Sequence, residues 1–123
     1  MKNLALVFTL FLFSLASCVN AQSVNVATFE SGLTPEVQLL DVRTQEEFEE
    51  GHLKGAIRAN VNDEAEFEKV TGELDKEKPV YVYCRSGKRS SNAAEILKSK
   101  GFVQVVDLDG GIIAWVEEGK PVE

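Results

Sequence analysis

One histidine and two cysteines in 123 residues are too few soft ligands for a metal centre. The cysteines, Cys18 and Cys84, form no Cys-x-x-Cys pair, which argues against disulfide exchange as the chemistry. Positive charge is scarce: 13 Lys and Arg stand against 20 Asp and Glu, a net charge of -7. That balance excludes a general nucleic-acid binder and a protein held to anionic lipid by charge alone. There is no internal repeat and no low-complexity tract. What remains is an ordinary globular mix, long enough for one domain and not two. A domain of this size can bury a core without a disulfide or a metal.

The amino-terminal stretch reads as a leader. Lys2 supplies a positive start, and Leu4 to Leu15 form an apolar run interrupted only by Thr9 and Ser14. That run is too short for a membrane-spanning helix and has the length of a signal-peptide core. Leu15-Ala16-Ser17-Cys18 resembles the lipobox of bacterial lipoproteins, in which the cysteine is lipidated. Ordinary cleavage after Val19-Asn20-Ala21 is the competing reading. The expected division is a leader over 1–21, with a possible lipobox ending at Cys18, and a domain over 22–123. The expected location is the periplasm or cell envelope of a bacterium, with a possible lipid anchor through Cys18.

Along the rest of the chain, short apolar runs alternate with helical patterns. Ser23 to Thr28 alternates weakly, as a short edge strand would, and Val37 to Val42 has strand length and composition. Thr44 with Glu47 three residues on is a capping box, predicting a helix over Gln45 to Glu50 that Gly51 stops. Ala56-Ile57 marks another short strand. Asp63 to Leu74 predicts an amphipathic helix burying Ala65, Phe67, Val70 and Leu74. Val80 to Tyr83 is a β-branched and aromatic strand, followed by Cys84-Arg85-Ser86-Gly87-Lys88-Arg89 and a helix over Ser90 to Lys100. Val103 to Leu108 is the last strand, and Gly110-Gly111 turns into a helix over Ile112 to Glu118. This alternation predicts an α/β fold with a parallel sheet covered on both faces.

Such sheets bind ligands beyond the carboxyl ends of their strands, where Cys84 sits. A cysteine nucleophile reacts as the thiolate, and three features here favour an anion. A helix begins just after the loop, with unpaired N–H groups and a favourable dipole. Gly87 lets the backbone curl so that amides point inward. Arg85, Lys88 and Arg89 concentrate positive charge in an otherwise acidic chain. The same cradle suits a small anionic substrate. A buried cysteine acting as a small hydrophobe is the bland alternative, and this neighbourhood argues against it. His52, the only histidine, is expected to hold a turn rather than to act on the sulfur.

These segments resemble the rhodanese family. Asp41-Val42-Arg43, Glu47-Phe48, Gly51-His52-Leu53 and Gly55-Ala56 are similar to its first signature. Cys84 to Ser90 is similar to its active-site loop, and Val106-Asp107-Leu108-Asp109-Gly110-Gly111-Ile112-Ile113-Ala114-Trp115 to its carboxyl-terminal signature. The resemblance implies a rhodanese-like three-layer sandwich, about five parallel strands with helices on both faces, in a single-domain member; separately, a monomer without a cofactor is expected. It implies a sulfurtransferase of the thiosulfate type, in which Cys84 takes a sulfane sulfur as a persulfide and passes it to a thiol or cyanide. In that scheme the amides of residues 85 to 89 stabilise the anion, and Arg85 and Lys88 draw in the donor. Arg89 braces the loop against a carboxylate such as Asp41, Arg43 is available for either job, and Trp115 packs behind the loop. One departure is Ile57-Arg58-Ala59-Asn60-Val61, where many relatives carry a proline; it bears on local loop geometry.

Two other functions compete. Cysteine phosphatases need arginine six positions after the cysteine, and position 90 is Ser, with Arg89 one residue early. A sulfur-carrier or binding module serving a protein partner would use the same persulfide as the enzyme.

Overall fold

The computed structural model describes residues 20–123, so the apolar run and Cys18 lie outside the described residues. Strands and helices alternate: β1 (Asn20–Val24), α1 (Val26–Gly32), β2 (Gln38–Asp41), α2 (Gln45–Glu50), β3 (Ile57–Arg58), α3 (Glu64–Gly72), β4 (Val80–Tyr83), α4 (Lys88–Ser99), β5 (Gln104–Leu108) and α5 (Gly111–Glu117). The strands form one sheet in the order β1-β5-β4-β2-β3, and every pairing is parallel.

β4 lies at the centre and all four of its residues are buried. Successive strand side chains point to opposite faces, so its alternation builds two cores. Val80 and Val82 pack with Ala93 and Leu97 of α4 and Phe67 of α3. Tyr81 and Tyr83 pack on the other face with Phe29 of α1 and Ile112 and Trp115 of α5. Helices therefore cover both faces of a five-stranded parallel sheet, as the residue pattern predicts.

Local chemistry sets most boundaries. α2 carries its capping box: the Glu47 N–H donates to Thr44 Oγ1 at 3.3 Å, and the Thr44 N–H donates to Glu47 Oε1 at 3.4 Å. Gly51 ends the helix in extended backbone, with its N–H donating to Phe48 O, rather than in a left-handed turn. The proline-free segment stays hydrogen-bonded along the end of β2: Ala59 N–H reaches Asp41 O at 2.8 Å, and Val61 N–H reaches Val42 O at 3.2 Å.

Several expected boundaries move. The edge strand is Asn20–Val24 and not Ser23 to Thr28, because Asn25 Oδ1 accepts the Thr28 N–H at 2.9 Å and caps α1 there. The strand takes in Asn20 and Ala21, ahead of the expected domain start at residue 22. α4 starts at Lys88 rather than Ser90, so Lys88 and Arg89 belong to its first turn. Ala65 is exposed, leaving Phe67 and Thr71 as the buried residues of α3.

Candidate active site

Cys84 directly follows β4, and the loop from Cys84 to Gly87 leads into α4. The cysteine is 1% exposed, at the floor of that loop. The Gly87 N–H donates to Cys84 Sγ at 3.0 Å, and Ser90 Oγ lies 3.3 Å from the same sulfur. This geometry depends on Gly87, whose φ of 106° is a left-handed conformation that L side chains rarely adopt. The curled backbone turns an amide inward at the sulfur, where it favours an anion. Of the amides from 85 to 89, Gly87 supplies the one within hydrogen-bond range of the sulfur.

The loop is held from two sides. The start of α5 supports it from below: Ile112 N–H donates to Cys84 O at 2.9 Å, and Ile113 N–H to Arg85 O at 3.2 Å. Gly111 permits this approach, since a Cβ there would come 2.3 Å from Arg85 O. On the other side, Arg89 forms a bidentate pair with Glu47, at 2.7 and 2.8 Å. That pairing, aided by Thr44, holds the Glu47 carboxyl down at about 2.

The carboxylate that Arg89 meets is thus Glu47 and not Asp41. Asp41 is already engaged. Its fully buried carboxylate accepts from Arg43 Nε and Nη2, at 2.9 and 2.6 Å, and from Tyr83 Oη at 2.7 Å. Arg43 Nη2 also donates to Gly51 O at 2.7 Å, and Leu53 N–H donates to Tyr83 Oη at 3.1 Å. Burial and the neighbouring Asp41 charge push the Tyr83 hydroxyl above the usual phenol range. The network ties β2, β4 and the segment after α2 together beneath the cysteine loop. Arg43, being buried and doubly bonded, acts as a brace.

Arg85, Ser86 and Lys88 are exposed, and no described salt bridge engages Arg85 or Lys88. Arg85 lines a cleft of about 460 Å³ beside the loop, together with Arg43, the carboxylates Glu47, Glu50 and Glu117, and the apolar Ile112, Ile113, Val116 and Val122. His52 holds a turn: its Nδ1 lies 2.9 Å from Phe48 O, and its ring stacks on Phe48 at 3.8 Å. Trp115 is 5% exposed and packs in the core, its indole N–H donating to Pro121 O at 2.9 Å. Among the described residues no cluster of His, Cys, Asp or Glu could hold a metal ion.

Residues 26–118 match the rhodanese-like domain family. The chain belongs to that family. Thiosulfate sulfurtransferase GlpE of Shewanella oneidensis is 41% identical over 81 residues, covering 66% of this chain and 77% of the relative. A sulfurtransferase of Allochromatium vinosum is 36% identical over 89 residues, covering 72% and 80%. A rhodanese-related protein of Thermoplasma volcanium superposes with a TM-score of 0.72 at 33% identity, covering 83% of this chain and 97% of that one.

Within this rhodanese domain the sequence motifs find distinct places. The loop from Cys84 to Ser90 surrounds the sulfur, the first signature supplies the Asp41–Arg43 and Glu47 braces, and the double glycine seats α5 under the loop. Sequence reasoning assigned no role to Asp107 and missed Glu47 as the partner of Arg89. The composition of β5 offered a signal for the first, since an acidic residue interrupts the apolar run Val105-Val106-Asp107-Leu108 and is buried with it.

Proposed function

We propose that the chain is a thiosulfate-type sulfurtransferase that carries the transferred sulfur as a persulfide on Cys84. The observation that carries the reading is the Gly87 amide at 3.0 Å from Sγ, in a loop whose exposed Arg85 and Lys88 offer charge to an anionic donor. The Cys84 thiolate attacks the outer sulfur of thiosulfate. A new S–S bond forms, the old one breaks, and its electron pair leaves with sulfite. The negative charge remains on the terminal persulfide sulfur, while the Gly87 amide stays bonded to the inner one. A thiol or cyanide then takes that sulfur and returns Cys84, a covalent two-step course. The cleft beside Arg85, lined by Ile112, Ile113, Val116 and Val122 and also by the carboxylates Glu47, Glu50 and Glu117, is larger than a small inorganic anion needs, which leaves room for a thiol acceptor with carbon groups attached.

The direct test is intact mass before and after thiosulfate, with Cys84→Ser alongside. The expected result is a gain of one sulfur, about 32 Da, on the unsubstituted protein alone, reversed by cyanide. A free thiol that gains no mass overturns thiosulfate as the donor. A gain on Cys84→Ser overturns the cysteine assignment.

The processing site is also proposed, as lipidation at Cys18 of an envelope protein. Strand β1 supports it: Asn20 and Ala21 pair with Gln104 and Val105, so cleavage after Ala21 would strip two residues from the sheet. Cleavage before Cys18 leaves the strand whole. Fatty-acid labelling lost in Cys18→Ser is the expected outcome, and an unlabelled mature chain starting at Gln22 would refute it.

A further inference from the structure

Five large hydrophobic side chains are exposed among the described residues, and three of them, Ile113, Val116 and Val122, line the cleft beside Arg85. The other two stand apart from it: Ile57 lies on β3 and Val103 just ahead of β5. Apolar residues scattered singly are ordinary on a surface, whereas a group of them beside a reactive loop marks an interaction site.

The cleft is held in shape by the fold. Ile113, Val116 and Glu117 are three and four residues apart on α5, so they share one stripe of that helix. Val122 completes the apolar lining from the carboxyl-terminal tail. Two backbone hydrogen bonds pin that tail: the Glu123 N–H donates to His52 O at 2.8 Å, and the His52 N–H to Glu123 O at 3.0 Å.

The charges of the lining do not cancel. Arg43 is committed to Asp41, and Glu47 to Arg89. Arg85, Glu50 and Glu117 remain, all exposed and none in a described salt bridge. Two carboxylates against one guanidinium leave the cleft acidic. A dianionic donor meets Arg85 and Lys88 on the loop, and the acidic, apolar remainder of the cleft repels it. That remainder suits a ligand with an apolar group and a positive charge.

We propose that the cleft docks the sulfur acceptor as a polypeptide segment, a cysteine on a partner protein with apolar and basic residues beside it in sequence. A volume of about 460 Å³ is far more than a small free thiol fills and holds several side chains. An apolar side chain of the segment packs on Ile113, Val116 and Val122. A lysine or arginine of the segment meets Glu50 and Glu117. Arg85 belongs to both cleft and loop, so a segment seated there brings its cysteine toward Cys84. The cysteine thiolate attacks the terminal persulfide sulfur. One S–S bond forms on the segment, the bond to Cys84 breaks, and its electron pair returns to Sγ as the thiolate. The inference rests on the persulfide reading above and specifies its acceptor.

The test uses a short fluorescent peptide with leucine and lysine beside a central cysteine, and two relatives, one with glutamate for the lysine and one with serine for the leucine. Versions with serine for the cysteine report binding by anisotropy, with no sulfur chemistry involved. The leucine–lysine peptide is expected to bind best. Glu50→Gln with Glu117→Gln should weaken it about 5–20-fold, at about 2–5-fold for each exposed charge, and should not weaken the glutamate peptide. Val116→Ser should weaken it about 3-fold or more through lost apolar contact, and should spare the peptide that lacks leucine. Loss of sulfur from the loaded protein, followed by intact mass, should rank the cysteine peptides in the same order. Equal binding of the three peptides overturns the assignment, as does a lysine preference that survives the two glutamate substitutions. A free small thiol of matched thiol pKa that unloads the persulfide as fast as the best peptide also overturns it. The expected binding pattern in a protein that takes no sulfur from thiosulfate keeps the docking site and removes the donor. Persulfide loading without that pattern keeps the donor and removes the docking site.

Discussion

Glu47 does two jobs with one carboxylate. It closes the capping box of α2 and receives Arg89 across the cysteine loop. Its folded carboxyl titrates at about 2, below the ordinary 4.5. A depressed acid stabilises the fold above its unfolded value, and that contribution disappears as pH falls from about 4.5 toward about 2. Glu47 and Arg89 are each a quarter exposed, so solvent screens part of the gain. Glu47→Gln is expected to cost about 1–2 kcal/mol in denaturant unfolding near neutral pH, with the difference shrinking through the acid range. A difference that is constant with pH would mean the charge is not what holds Arg89.

At the scale of elements, the cysteine loop is shaped as much by α5 as by α4. Gly87 allows the curl, and the first amides of α5 fix the carbonyls of Cys84 and Arg85. Gly111 stands where the two meet, at φ of 60° with no room for a Cβ. Gly111→Ala is expected to cost roughly 2 kcal/mol or more, combining left-handed strain with a clash against backbone that cannot yield cheaply. Because the clash falls on the loop itself, sulfur transfer should drop further than stability alone explains. Thermal unfolding and persulfide formation on the same sample separate the two effects. Full activity in a merely destabilised variant would show that α5 does not set the loop.

Taken whole, the molecule is acidic, yet it presents Arg85 and Lys88 beside the sulfur. A small dianion approaching such a surface depends on local rather than net charge. Lys88 is exposed, so under the proposed function its pull on thiosulfate would be screened by salt. Lys88→Ala is expected to raise KM about 3–10-fold at low ionic strength with little change in kcat, and added salt should narrow the gap. An unchanged KM removes Lys88 from donor capture.

Much of this was legible in the sequence because local patterns carry it. The Thr44–Glu47 capping box, the β4 run and the Gly-rich turn into α5 depend on neighbours a few residues apart, and they fold where the pattern puts them. The position of Cys84 after a strand and before a helix followed from the same reading. Boundaries failed where a side chain could choose between backbone states, as when Asn25 capped a helix instead of extending a strand. Pairings across long sequence separations were decided only by the tertiary structure. Residues 47 and 89 meet because α2 and α4 both open at the carboxyl end of the sheet, and Asp41 was lost to Arg89 because Arg43 and Tyr83 reach it first. Asp107 came to share a buried face with Val82 only when β5 paired with β4, since register, and not sequence distance, sets which side chains share a buried face.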